Sequence, residues 1–282
     1  VNMEKFIHIW PLRIQETIST YHPKGNVQFN GIIKGASPQI QKPDIFVFFK
    51  INKGNIIIPE FQKINNVRLE GHFSNGRHNS AYSSYINLEK MEGSIQEGSV
   101  SGNLRLENLK NPYFKSKLKM SSNLAHLQKH FENKNFSEFS GHINGSVNLS
   151  GPLTNRFSMN RKTLNSLYVS GELFVLKAGF MFQDHPLSNI NGKLNIHKNK
   201  DITINPVSFD IHDQQVDVKG TWKKGMNHIL NPSDSIYRFE GTVNTGLIDL
   251  ADFFPKKNKS TGKAVFSDLP DQYYLNLQLN AD

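Results

Sequence analysis

A pair of histidines is the first candidate for a chemical role. His126 and His130 lie four residues apart in a stretch with helical periodicity, a spacing that can bring two imidazoles to one metal ion. No glutamate follows His126, so the sequence lacks the pattern of a zinc protease. Two surface histidines are the simpler interpretation, and we predict no metal site.

Carboxylates are the second set of candidates. The segment Asp210–Asp213 carries two aspartates and a histidine around Ile211, which is typical of the solvated side of a strand. A glycosidase would need two acids close together, and nothing in the sequence joins any two of Glu70, Glu92, Glu107 and Glu172. Nucleophile-elbow, phosphate-loop and dinucleotide-binding motifs are also absent. We therefore predict no enzyme and no cofactor.

The bulk composition narrows the class of partner. The chain has no cysteine, which excludes disulfides, thiolate metal sites and a cysteine nucleophile. Its net charge of +9 is spread along the sequence, and lysines cluster only at Lys256–Lys259. A solvated outer face explains this distribution best, and attraction to anionic lipid headgroups comes next. We predict no nucleic-acid partner.

The elements that would position these residues are strands, most clearly Gly141–Pro152. In that segment Ile143, Val147 and Leu149 fall on one side, and polar residues fall on the other. A period of two is typical of a strand with one apolar face. The pattern returns along the whole chain, and a mean hydropathy of -0.49 agrees with strands whose outer face is polar. The sequence therefore predicts a mainly β protein whose successive strands pair antiparallel.

The pattern divides into two β units, residues 1–140 and 141–282. Ile64–Gly71 resembles Leu187–Leu194, with an offset of roughly 125 residues, which indicates the duplication of a large unit. Short helices are predicted at residues 11–21, 123–131 and 247–254.

A strand with one apolar face must bury that face. Two sheets can close on each other as a sandwich, or one sheet can curl until its apolar side lines a trough that holds a hydrocarbon ligand. Each buried CH₂ contributes about 0.8 kcal/mol, so a fully enclosed acyl chain would be held by on the order of 10 kcal/mol. Alternation alone leaves both possibilities open.

Several segments resemble the AsmA family of Gram-negative envelope proteins, and Gly145–Leu153 carries much of the likeness. The resemblance covers most of the chain and lies in Leu106–Leu118, Leu124–Leu127, Gly141–Leu153, Pro186–Leu194 and Gln215–Gly220.

The resemblance implies a fold and a function. The family's fold is similar to the curved, taco-shaped sheets of bridge-like lipid-transfer proteins, whose apolar groove carries lipid between membranes. It also implies a periplasmic location with an N-terminal inner-membrane anchor that this chain lacks. The chain is expected to be an internal segment of the groove, without catalysis. Its partners would be phospholipid or another acyl-chain lipid, and membranes contacted through other parts of a full-length protein.

The expected groove residues are the one-sided apolar sets of the strands, for which plain core packing is the competing interpretation. They are Val27, Phe29, Val67, Leu69, Leu104, Leu106, Leu118, Met120, Ile143, Val147, Leu149, Leu173, Val175, Leu194, Ile196, Val207, Phe209, Val216, Val218, Leu275 and Leu277. A non-catalytic β-sandwich envelope or surface module that binds protein or glycan is the alternative. A carbohydrate-active β-helix enzyme comes third.

Overall fold

A computed structural model describes residues 2, 5, 8, 15, 16, 19–35, 42–57, 63–127, 136–153, 166–182, 185–211, 214–230, 237–246 and 273–281. The protein is mainly β, as the alternation predicts. The strands are β1 (Lys24–Lys34), β2 (Asp44–Ile57), β3 (Lys63–Ser74), β4 (Tyr85–Ile95), β5 (Gly98–Glu107), β6 (Tyr113–Asn123), β7 (Phe136–Pro152), β8 (Tyr168–Phe182), β9 (His185–Ile196), β10 (Ile202–Ile211), β11 (Gln214–Lys223), β12 (Tyr237–Thr245) and β13 (Tyr273–Ala281). The described helices are α1 (Leu124–Leu127) and α2 (Gly225–Leu230).

The strands follow one another in a single sheet in the order of the sequence. Each pairing with a described register is antiparallel except the last, since β12 and β13 run parallel with Phe239 opposite Leu275 and Gly241 opposite Leu277. The prediction that all sequence neighbours pair antiparallel is therefore wrong at this pair. Parallel neighbours need a crossover of a dozen residues or more, and residues 246–272 separate these two strands.

The chain divides into two compact units. The first consists of Val1–His130 and Ile143–Gly171, and the second of Phe131–His142 and Glu172–Asp282. Each unit has an apolar face of its own.

The first unit aligns apolar residues across β1 to β6. Val27 pairs with Ile51, and Ile51 pairs with Leu69. Leu69 pairs in turn with Met91, and the same row reaches Leu118 on β6. Directly opposed residues project to the same side of a sheet, so these side chains share one face. We call it the first apolar face; it consists of Val27, Phe29, Ile33, Ile45, Val47, Phe49, Ile51, Val67, Leu69, Phe73, Ile86, Leu88, Met91, Val100, Leu104, Leu106, Phe114, Leu118 and Met120.

Glycines on the first apolar face let neighbouring strands approach closely. A Cβ on Gly71 would collide with the carbonyl oxygen of Asn87 on β4. Gly31 is different, because a Cβ there would make only ordinary contacts, with a methyl group of Val47 at 3.7 Å and the carbonyl oxygen of Phe46 at 3.8 Å. Gly71 is therefore required by the close approach of β3 and β4, and Gly31 is not.

The second unit repeats this arrangement across β9 to β12. Ile196 pairs with Ile202, Ile202 with Trp222, and Trp222 with Phe239. The second apolar face consists of Leu187, Leu194, Ile196, Ile202, Ile204, Val207, Phe209, Ile211, Val216, Val218, Trp222, Phe239 and Val243.

The described helices agree in part with the predicted ones. Helix α1 lies within the predicted 123–131 segment, and Asn123 caps it by accepting a hydrogen bond from the backbone N–H of Ala125 at 2.9 Å. Within the predicted 11–21 helix, the described residues Gln15, Glu16 and Ser19 are helical. Thr20 and Tyr21 form a turn, which ends the predicted helix there. Residues 11–14, 17, 18 and 128–131 and the predicted 247–254 helix lie outside the described residues.

Helix α2 was not predicted, since its sequence has no helical period. Its first residue packs against the second apolar face, where a Cβ on Gly225 would lie 2.9 Å from atoms of both Ile202 and Trp222. No helix in the described parts of the chain is long and apolar enough to span a membrane.

Candidate functional site

The structure brings the predicted groove residues of β1, β3, β5 and β6 together on the first apolar face. These residues are Val27, Phe29, Val67, Leu69, Leu104, Leu106, Leu118 and Met120. Their burial varies along the face: Val27 is 1% exposed, whereas Phe29 is 40% exposed. Both residues lie on β1, so the burial of the face changes within a single strand.

Sequence reasoning missed the contribution of β2 and β4 to this face. Phe49 and Ile51 of β2 are buried, and Ile86 and Leu88 of β4 pack against them. The segment Ile45–Ile51 is apolar at almost every position, which hid its alternation. Counting from Val27 through the pairing of β1 with β2 would have assigned Phe49 and Ile51 to the same side.

The other aromatic residues of β2 lie on the opposite, polar side of the sheet. Phe46 pairs with Ser74 in register and stacks on His72 with ring centroids 5.0 Å apart. His72 meets Tyr85 edge to face at 5.6 Å, and the guanidinium of Arg105 lies 4.7 Å from the Tyr85 ring centroid. Stacking thus accommodates the ring of Phe46 among polar and charged neighbours.

Strands β7 and β8 carry a further set of predicted groove residues, all of them half-buried. Val147 lies beside β8, because a Cβ on Gly171 would be 2.8 Å from its Cα. Its neighbour Asn148 belongs to the polar set of β7 and is exposed. The half-buried predicted residues of these strands are Ile143, Val147, Leu149, Leu173 and Val175.

One polar side chain interrupts the first apolar face on β6. Ser116 lies opposite Leu104 and is only 7% exposed. Its hydroxyl donates a hydrogen bond to the carbonyl oxygen of Asn103 at 2.6 Å. Because this polar group is already satisfied by the backbone, it leaves the face apolar to an incoming ligand.

The opposite face of the first unit holds the carboxylates that a glycosidase would need. Glu70 forms an ion pair with Lys50 at 3.5 Å, and Glu92 forms one with Lys90 at 3.3 Å. The first pair joins neighbouring strands and the second lies within β4, and both are typical of a solvated sheet face. These carboxylates therefore pair with cations rather than with each other.

Glu107 is contacted by two cationic side chains. Lys115 donates to it at 2.9 Å and Arg105 at 2.8 Å, and these hydrogen bonds hold the pKa of its carboxyl below the usual value. A general acid needs the opposite shift. In the second unit, Glu172 likewise pairs with Lys193, at 2.6 Å.

The remaining chemical candidates have ordinary partners. His126 lies 3.4 Å from Glu97 in the turn between β4 and β5, and His130 lies outside the described residues. Asp210 accepts a hydrogen bond from the side-chain amide of Asn189 at 2.6 Å, whereas residues 212 and 213 are not described. The described residues contain no group of three or more potential metal ligands.

The second apolar face contains the predicted groove residues of β9, β10 and β11: Leu194, Ile196, Val207, Phe209, Val216 and Val218. On β13, Leu275 lies opposite Phe239 and Leu277 lies opposite Gly241 in the parallel register. Leu277 is 40% exposed. The parallel pairing thus continues the row of apolar positions beyond β12.

Protein-family models, curated proteins and solved structures offer no match to this chain. Its function must be inferred from the two faces themselves. All strands of the described residues belong to one sheet, so these residues contain no second sheet to cover either face.

Proposed function

We infer that the apolar faces bind the acyl chains of lipids and that the chain is a lipid-carrying segment of an AsmA-like envelope protein. One observation carries the proposal. Across β1 to β6 the registers gather the apolar residues on one side and ion pairs on the other, with only one sheet among the described strands. Such a face gains free energy by contacting hydrocarbon in place of water.

The first apolar face has the length that an acyl chain requires. Six strands span five inter-strand steps of roughly 4.8 Å, or about 24 Å across the strands. The hydrocarbon of one membrane leaflet is about 15 Å deep, half of the roughly 30 Å core. One chain lying across the strands would therefore find apolar contacts along its whole length.

The same geometry favours movement over permanent capture. Enclosing a CH₂ contributes about 0.8 kcal/mol, and a face open on one side retains only part of that. Hydrocarbon contact is also non-directional, so a chain that slides exchanges one set of contacts for a similar one. In this proposal the protein holds lipid in a trough lined by its apolar side and catalyses no reaction.

The resemblance in Leu106–Leu118 and Gly145–Leu153 supports a location in the cell envelope for this proposed activity. It favours a periplasmic protein that carries phospholipid between the inner and outer membranes and so maintains the outer membrane. In this proposal the membranes are contacted, and the inner-membrane anchor supplied, by parts of a longer protein. The alternative, a β-sandwich module for protein or glycan, needs a second sheet over the apolar face, and the described strands provide one sheet only.

The test places one carboxylate on either side of β7. Val147→Asp puts a charge among the half-buried apolar residues, and Asn148→Asp puts the same charge on the neighbouring exposed position. Native mass spectrometry of gently purified protein measures bound phospholipid. We expect phospholipid on the wild type and on Asn148→Asp, and its loss from Val147→Asp, because a buried carboxylate is costly to desolvate.

Far-ultraviolet circular dichroism confirms that both variants are folded before their lipid is compared. A lipid-free wild type, or folded Val147→Asp that retains as much phospholipid as Asn148→Asp, would falsify the lipid-binding proposal. For transport, the same pair is placed in a reconstituted full-length protein. Transport that survives Val147→Asp would exclude passage along the apolar side of β7.

A further inference from the structure

A basic pocket opens on the polar side of the first unit, where β2, β3 and β4 meet. It has a volume of about 330 Å³, and its polar lining consists of Lys50, Asn52, Lys53, Arg68, Glu70 and Lys90. Four cations thus face a single carboxylate. Small-molecule sites in proteins have volumes of roughly 300–1,000 Å³, so the pocket has room for one small ligand.

The sheet register produces this concentration of charge. Lys50 lies opposite Glu70, and Glu70 lies opposite Lys90 on the next strand. Lys50 forms an ion pair with Glu70 at 3.5 Å, whereas Lys90 turns to Glu92 at 3.3 Å. The lone carboxylate of the pocket therefore neutralises one of its four cations.

The other two cations are not neutralised within the described residues. Neither Lys53 nor Arg68 makes an ion pair there, although Arg68 lies opposite Glu92 in register. Lys53 has a left-handed backbone with φ of 59°, at the point where the pairing of β2 with β3 shifts between Ile51 and Gly54. Such a bulge redirects side chains out of the regular alternation.

We propose that the basic pocket binds a phosphate group carried on a small polar body such as a glycerol or a sugar. A guanidinium presents parallel N–H donors that match two phosphate oxygens, and lysine ammonium groups add charge without a fixed geometry. Arg68 is the bidentate donor, and Lys53 adds the second uncompensated positive charge. The carboxylate of Glu70 opposes binding and sets its strength. This site lies on the polar side and does not depend on lipid binding by the apolar faces.

Isothermal titration calorimetry with glycerol 3-phosphate and with inorganic phosphate, at constant ionic strength, tests the site. We expect the wild type to bind glycerol phosphate with a Kd of about 1 mM or lower. Arg68→Gln should weaken binding by about tenfold, because the bidentate contact is lost. Glu70→Gln should strengthen it by about threefold, because a repelling charge is removed.

Lys119→Gln is the matched control. It removes one exposed positive charge from the same side of the sheet, on β6, outside the pocket. Its affinity should stay within about twofold of the wild type, since screening limits the effect of a distant exposed charge. Equal weakening by Arg68→Gln and Lys119→Gln, no binding to the wild type, or an unchanged affinity in Glu70→Gln overturns the proposal.

A second experiment distinguishes a lipid headgroup from a soluble organic phosphate as the ligand. Flotation with phosphatidylcholine vesicles that contain about 30% phosphatidylglycerol tests a lipid headgroup. Flotation that is lost in Arg68→Gln and kept in Lys119→Gln assigns the pocket to headgroups. Calorimetric binding without flotation assigns it to a soluble organic phosphate. Both results support the phosphate site, and neither changes if the apolar faces prove to be lipid-free.

Discussion

Asn66 and Asn189 share the same left-handed backbone conformation, with φ of 52° and 50°. Each is followed directly by a buried aliphatic residue, Val67 in β3 and Ile190 in β9. The two asparagines are equivalent positions in the internal similarity between Ile64–Gly71 and Leu187–Leu194. Asparagine tolerates this conformation better than other residues with a Cβ, which accounts for its use at both places.

Alanine at either asparagine should therefore destabilise the protein to the same extent. We expect Asn66→Ala and Asn189→Ala each to lower the free energy of unfolding by about 1 kcal/mol, because a Cβ without a compensating polar group is strained at positive φ. Asn66→Gly and Asn189→Gly should stay within about 0.5 kcal/mol of the wild type. Urea unfolding followed by circular dichroism measures all four. A loss at only one of the asparagines would argue against equivalent units.

Two glycines of the first apolar face should respond oppositely to alanine. Gly71→Ala should cost about 2 kcal/mol or more, since the new methyl group would collide with the backbone of β4. Gly31→Ala is the control on the same face; because its methyl group would make only ordinary contacts with Val47 and Phe46, it should be neutral or stabilising by up to about 1 kcal/mol. Urea unfolding of the two variants checks the difference. Similar losses at both positions would contradict the close approach of β3 and β4.

The Glu107 cluster should make stability depend on pH. Its carboxyl pKa is lowered from 4.5 by Lys115 and Arg105, so the folded state binds the proton more weakly than the unfolded state. The stabilisation is therefore present above pH 4.5 and disappears as the pH falls through the folded-state pKa. Glu107→Gln should lower stability at pH 7, and this difference should shrink as the pH falls through the folded-state pKa of Glu107. Chemical unfolding over a series of decreasing pH values tests this; a difference of constant size over the series would exclude a role of the charge.

Trp222 can report lipid on the second apolar face. The chain has two tryptophans, and Trp10→Phe leaves Trp222 as the only one. Because Trp222 lies in the row between Ile202 and Phe239, phospholipid with brominated acyl chains should quench its fluorescence. The same lipid without bromine is the control. Bound brominated lipid that leaves the emission unchanged would exclude the second apolar face from lipid binding.

Where residue types alternate, as in β1 and β6, the sequence sufficed to predict the strand and its two sides, because a period of two is local information. Val27 with Phe29 and Leu118 with Met120 share a face for this reason alone. The almost uniformly apolar segment Ile45–Ile51 gave no such signal. The parallel pairing of β12 with β13 was beyond such reasoning, since strand direction depends on the path of residues 246–272 rather than on alternation.

The basic pocket could not be predicted from the sequence. Lys50, Arg68 and Lys90 are far apart along the chain, and they meet because the pairing registers of β2 with β3 and of β3 with β4 bring them to one place on the polar side of the sheet. Helix α2 was missed for a different reason, because packing of Gly225 against Ile202 and Trp222 places it rather than any helical period.

The agreement between strand order and sequence order has an evolutionary consequence. Within the antiparallel run from β1 to β6 each strand needs only its predecessor, so a hairpin can be gained or lost without rethreading the rest of the chain. Each added hairpin would lengthen the row of apolar positions by roughly 10 Å, twice the inter-strand spacing. In proteins built in this way, the length of the apolar face can therefore change in steps of one hairpin.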